Sequence, residues 1–226
     1  MRKLIISFAL LLLAMGGGQT VATAAEVSYP LDQMFHPIPI EVPTLALVSL
    51  TDLGDRVRID VTNMVEGNLN SLYFNFNGDP YNRDPRHLTF SNVSLNGALL
   101  TSEDYRTNLA PTEESRRGTL MPPGDGFFDG RIVLNRTQAN VGPGEMLSFD
   151  LGISGVNLSI ADFQFPSLPS GGSMQGFVFA SQIFGLEDGS VWVGGLTPVP
   201  LPASFLLFGS SLIGLFAIAR MRMFAA

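Results

Sequence analysis

The chain predicts an all-β protein, and three observations carry that prediction. Several segments alternate apolar and polar residues with a period of two, turn-forming residues separate them, and no long stretch of the interior shows a helical period. Val57, Ile59 and Val61 alternate with Arg58, Asp60 and Thr62. Leu72, Phe74 and Phe76 alternate with Tyr73, Asn75 and Asn77, and Leu147, Phe149, Leu151 and Ile153 with Ser148, Asp150 and Gly152. A period of two sends one set to a buried face and the other to the opposite face. Further strands are predicted over 45–53, 88–95, 127–134, 163–165, 177–184 and 191–193. Gly54-Asp55, Glu66-Gly67-Asn68, Gly78-Asp79-Pro80, Gly142-Pro143-Gly144 and Asp188-Gly189 supply the turns. Strands punctuated in this way predict a single β-sandwich or jelly-roll-like domain over 25–196.

Some stretches fit no central strand. Residues 26–43 carry Pro30, Pro37, Pro39 and Pro43, which predicts an extended edge or a lead-in. Residues 102–125 are polar and end in Pro122-Pro123-Gly124, which predicts a long surface loop, with a shorter one at 166–172. A short helix is allowed around 137–140.

The two ends read as targeting signals. Arg2 and Lys3 precede an apolar core from Leu4 to Met15, and Ala22-Thr23-Ala24 supplies the small-residue cleavage pattern. Residues 1–24 are therefore predicted to be a signal peptide, cut by signal peptidase after Ala24. At the other end, Val199-Pro200-Leu201-Pro202-Ala203-Ser204 precedes an apolar run over 205–219, followed by Arg220 and Arg222. As a helix this run rises about 1.5 Å per residue and falls short of a hydrocarbon core of about 30 Å. The two arginines place the C-terminus in the cytoplasm and the domain before it outside.

Segment 197–226 resembles the PEP-CTERM sorting signal of Gram-negative bacteria whose envelopes handle exopolysaccharide. The family form is Val-Pro-Glu-Pro, a short membrane span and an arginine-rich end, and here Leu201 stands in the glutamate position. The resemblance covers roughly the last tenth of the chain. It implies a membrane protease of the exosortase type as partner, transient anchoring through 205–219, and delivery to the cell surface or extracellular matrix. It implies no catalytic residue and no fold for the rest.

Composition bounds the exported part. Nine of the 13 basic residues and all 20 acidic ones lie between the two signals, for a net charge of −11 without a lysine. That balance argues against a nucleic-acid partner, which needs a basic footprint. The chain has no cysteine, so the domain must hold together through its core alone, and thiol catalysis and thiolate metal sites are excluded.

The chemistry-bearing residues are few. His36 and His87, the only histidines, lie in proline-rich and turn-like surroundings without ligand spacing. There is no Gly-x-Ser-x-Gly elbow in the domain and no phosphate-cradling glycine loop. Asn75, Asn77, Asp79, Asn82 and Asp84 put oxygen groups at alternate positions near a turn. Calcium is the ion such a pattern admits, with Asn75, Asn77, Asp79 and Asp84 as ligands. The cluster misses the EF-hand spacing, because Gly78 comes too early and Arg86 replaces the closing glutamate, so an ordinary Asx turn is the preferred reading and no cofactor is expected. Trp192, the single tryptophan, points away from Val191 and Val193. It can stack on a sugar ring or pack over the sheet, and the residues alone leave both open.

Two function classes follow. The first is a non-enzymatic structural or adhesive protein of the extracellular matrix that touches exopolysaccharide. The second is a secreted carbohydrate-active enzyme on a jelly-roll scaffold, since paired carboxylates are available among 20 acids. The missing catalytic motifs favour the first.

Overall fold

The computed structural model describes residues 25–35, 40–77, 85–110, 120, 122, 126–137, 139–167, 176–187, 189–196 and 198. Within them lie eleven strands: β1 (Glu26–Met34), β2 (Ile40–Asp52), β3 (Arg56–Asn63), β4 (Asn68–Phe74), β5 (Thr89–Leu95), β6 (Ala98–Leu99), β7 (Tyr105–Leu109), β8 (Gly130–Leu134), β9 (Met146–Gly152), β10 (Phe179–Leu186) and β11 (Gly189–Gly195). The all-β expectation holds. The strands form one antiparallel sheet in the order β6-β5-β9-β3-β2-β1-β11-β10-β4-β8-β7, and the sheet curls into a half-barrel.

The period of two explains why the sheet curls around a core. In β3 the burial pattern alternates at every residue, with Val57, Ile59 and Val61 fully buried. The ladder puts Ile59 opposite Leu50 of β2 and Phe149 of β9, and Val61 opposite Val48 and Leu147. The other half of the sheet sends Leu72, Phe74, Ile132, Phe179 and Val193 into the same cluster. Tyr29 of β1 meets Phe179 of β10 edge-on at 5.2 Å. Each large side chain so buried stabilises the fold by roughly 1.5–3 kcal/mol relative to exposure, which is how a chain without disulfides holds a core.

Segment 26–43 departs from its expectation. Its first part, β1, is a central strand lying between β2 and β11. β2 pairs with it from Glu26 to Met34, whereas β11 meets it in register only at Gln33 and Met34. The ladder with β11 therefore begins beyond Pro30, and the amide hydrogen that Pro30 lacks does not interrupt it.

Segment 102–125 also differs, because β7 forms within it and pairs with β8 at the edge of the sheet. The strand predicted at 163–165 is replaced by a 3₁₀ turn, Ile160–Phe163. Asp162 fixes this turn by accepting from the Ser159 N–H at 2.8 Å. The turn drops Phe163 between Phe74 and Phe76, at ring separations of 6.2 and 5.4 Å. Around 137–140, where a short helix is allowed, the described residues form no helix, and the Ala139 N–H donates to the Asn135 carbonyl at 2.8 Å.

Gly67, between β3 and β4, has φ +104°, and a Cβ there would stand 2.9 Å from the Phe184 carbonyl oxygen. Glycine is needed both for the backbone conformation and for the close approach. Beside it, buried Asn63 donates to the carbonyls of Gly67 and Val141 at 3.0 Å each, tying this turn to the strand segment before β9.

Both predicted signals, with Ala22, Ala24, the motif Val199–Ser204 and Arg220 and Arg222, lie outside the described residues apart from Pro198. Among the described residues no helix is long and apolar enough to cross a membrane.

Candidate functional site on the outer face of the sheet

The inner face is filled, so a site must lie on the outer face or at the rim. On the β11-β10-β4-β8-β7 half, the outward residues line up across five strands. Trp192 stands opposite Gln182, Gln182 opposite Ser71, Ser71 opposite Val133, and Val133 opposite Arg106. In the next row Gly194, Ala180, Tyr73, Arg131 and Asn108 are opposed in the same way. Between and beside these rows runs an open groove of about 540 Å³. Trp192 and Tyr73 stand at one side of it, and Arg106, Arg131 and Arg136 also line it.

A second, smaller hydrophobic cluster holds the aromatic side in place. Tyr73, Phe128, Phe177 and Ala180 are buried in it, and Phe35, Trp192 and Leu196 pack against it. Trp192 stacks on Phe35 at 6.1 Å and 26°, and meets the Tyr73 ring edge-on at 5.5 Å. The expected opposition of Trp192 to Val193 is observed: Val193 is fully buried in the core and Trp192 is half-buried on the outer face. Trp192 is thus partly packed and partly exposed.

The arginines are held by neutral groups. Arg131 Nε donates to Asn108 Oδ1 at 3.0 Å and its Nη1 to the Tyr73 hydroxyl at 3.1 Å. Arg136 Nη2 donates to Gln182 Oε1 at 3.2 Å, and its guanidinium lies 4.6 Å from the Phe184 ring centroid. With the Asn70 amide turned so that its oxygen faces Arg136, that oxygen accepts from Nε at 2.7 Å. Among the described residues no aspartate or glutamate lines the groove, and none of the three arginines has a carboxylate partner.

The opposite half of the sheet handles its charges differently. Arg58 Nε donates to Asp150 Oδ1 at 2.8 Å, and Asn92 donates to the other oxygen at 2.7 Å. The bulge in β5 between Ser91 and Ser94, with Asn92 at φ +52°, aims that amide at Asp150. Burial pushes the Asp150 carboxyl up, but the hydrogen bonds from Arg58 and Asn92 outweigh it and hold the group below the usual carboxylate range. Arg56 pairs with its neighbour Asp55 at 2.8 Å.

The calcium candidates fall in two sets. Asn75 is buried, and its amide nitrogen donates to the carbonyls of Phe177 and Val178 at 3.0 and 3.3 Å. It therefore works as a stitch between the end of β4 and the approach to β10. Asn77 lines a smaller rim pocket of about 120 Å³ with Asn75, Phe76 and Asp129. Asp79 and Asp84 lie outside the described residues, as does His36. Among the described residues no three His, Asp or Glu side chains group as a metal site.

Sequence reasoning found Trp192 but not the arginines across from it. Arg131 and Arg136 carry no local motif, and only the pairing of β8 with β4 and β7 brings them to the groove. The alternation of Arg131 and Val133 with Ile132 was the available signal, and it gives a face without giving the neighbours on that face.

The fold and the groove define an all-β protein built on one curled antiparallel sheet, with a surface groove lined by aromatic and cationic side chains. No family model matches this chain, and no curated protein or solved structure shows significant similarity to it.

Proposed function

We propose that this is an exported, surface-sorted, non-enzymatic structural or adhesive protein of the extracellular matrix that contacts exopolysaccharide through the outer-face groove. The observation that carries this reading is the groove itself. It is open to solvent, its Trp192 is half-buried, and the amide-bearing Gln182, Asn70 and Asn135 also line it. Aromatic faces stack on sugar rings and amides satisfy hydroxyls, and an open cleft admits a chain without needing its end. In this reading the two halves of the curled sheet serve as the two layers of a jelly-roll-like sandwich, with the main core between them.

Binding without turnover tests the reading. The purified full-length chain, solubilised in neutral detergent, is expected to be retained on polysaccharide in a glycan panel while releasing no reducing ends. Release of reducing ends would turn the assignment to a carbohydrate-active enzyme instead.

Sorting has its own test. Cleavage is expected between Val199 and Ser204, because the prolines keep the cut site out of the helix that 205–219 would form. Mass spectrometry of the surface fraction should find the apolar tail gone, and replacing Pro200 and Pro202 by alanine should block its loss. Recovery of peptides ending at Ala226 from that fraction would instead mean a plain anchor.

A further inference from the structure

We propose that the groove selects an acidic glycan, a chain of carboxylate-bearing sugars, with Arg106, Arg131 and Arg136 reading the carboxylates and Trp192 packing against the rings. The proposal rests on the glycan-contact reading above and narrows its ligand.

The segment between the two signals carries a net −11, yet among the described residues its groove gathers three of its nine arginines and is lined by no acid. Three like charges gathered at one groove repel one another, and in so acidic a protein counter-charges were available. Elsewhere on the sheet they are used, since Arg56 and Arg58 each hold a carboxylate at 2.8 Å. Of the acids beside the groove arginines in sequence, Asp104 accepts from the Thr101 N–H at 2.7 Å and its hydroxyl at 2.8 Å, and Asp129 accepts from the Phe76 N–H at 3.0 Å.

Arg131 is fixed by Asn108 and Tyr73, and Arg136 by Gln182 and Asn70. All four partners are neutral, so they set the guanidinium planes without cancelling the charge. A guanidinium has five N–H donors in a rigid fork, and these contacts leave several unused on each. Holding the fork beforehand lowers the entropy lost when a carboxylate docks.

From Trp192 on β11 to Arg106 on β7 there are four strand spacings, about 19 Å at roughly 4.8 Å each. An extended chain of several sugar units fits that span, with an apolar ring contact at one end and cations at intervals along the rest. A free monovalent anion would neutralise only one of these cations, and a neutral glycan none of them.

The test uses the full-length chain in neutral detergent, titrated with oligogalacturonate, with the same oligomers methyl-esterified, and with single-stranded DNA of equal charge. Oligogalacturonate is expected to bind at least tenfold more tightly than its ester and than DNA, and to weaken as salt rises. Arg131→Gln and Arg136→Gln should each weaken it about tenfold. Arg106→Gln, a change at an exposed side chain, should weaken it severalfold without altering the melting temperature. Arg56→Gln, on the far half of the sheet, should leave binding unchanged. Trp192→Ala should weaken oligogalacturonate and leave the weak DNA binding as it was. Equal binding of acid and ester, lost together in Trp192→Ala, would overturn the acidic selectivity while leaving glycan contact standing. DNA binding as tight as oligogalacturonate would overturn the sugar in favour of any polyanion. Failure of every glycan to bind would overturn both readings.

Discussion

Phe74→Ala is expected to destabilise the fold by about 3–5 kcal/mol, the usual cost of deleting a fully buried aromatic ring. Phe74 is fully buried in β4, between Phe179 of β10 and Gly130 of β8. Its ring also meets Phe90 of β5 at 6.0 Å and Phe163 at 6.2 Å, and so joins the two halves of the curled sheet. At this chain length the loss corresponds to a melting temperature lower by roughly 6–20 °C. The urea midpoint should fall with an unchanged slope. Gly130 gives an internal check, because a Cβ there would stand 2.2 Å from the Phe74 ring. Gly130→Ala alone should cost about 1–3 kcal/mol through overpacking, and much less in the Phe74→Ala background. Costs that simply add would show that the ring over the glycine is not the constraint.

Arg58→Ala should be nearly as damaging, by a different route and with a dependence on pH. The Asp150 side chain is 1% exposed, and removing Arg58 strands its charge in the sheet surface. Breaking buried pairs costs about 3–5 kcal/mol. The Arg58 side chain is 42% exposed, so water screens part of the loss and about 2 kcal/mol is expected at pH 7. Because the Asp150 carboxyl is held below its ordinary value, its stabilisation is complete above an unfolded pKa of about 3.9. It fades as pH falls through the lower folded value. In Arg58→Ala burial is opposed only by the Asn92 hydrogen bond and the charge of Arg56, the carboxyl moves up, and protonation relieves the variant. The gap in melting temperature between parent and variant should therefore be widest at neutral pH and shrink below about pH 4. An equal gap at pH 3 and pH 7 would show that Arg58 matters through its packing and not through the pair.

Much of the fold was legible because a half-buried strand writes its two faces directly into the residue order. Val57, Ile59 and Val61 could be assigned to the core before any neighbour was known, and so could Leu147, Phe149 and Leu151. Gly54 and Gly67 marked their turns because only glycine readily adopts the positive φ that each requires. The Asn96-Gly97 pair was a missed signal of the same kind: both residues have positive φ and join β5 to β6 in a two-residue hairpin. Pro30 misled for a physical reason. A proline argues against a central strand only where the neighbour facing it needs its amide hydrogen, and β11 reaches β1 only three residues later.

The residue order by itself determined the all-β class, the inward residues of the main strands, and the absence of disulfides from a chain with no cysteine. It also supplied the two targeting signals as expectations. Only the tertiary structure decided that the strands join in one curled sheet, because strand order depends on which edges pair across long loops. Segments as distant as Ser71 and Gln182, or Arg58 and Asp150, become neighbours that way. The groove belongs to this second kind of information. Trp192, Tyr73, Arg131 and Arg106 lie on four different strands, and their separation along the chain carries no trace of the shared face. A period of two tells each side chain which way to point, and the pairing of the strands alone tells it what stands beside it.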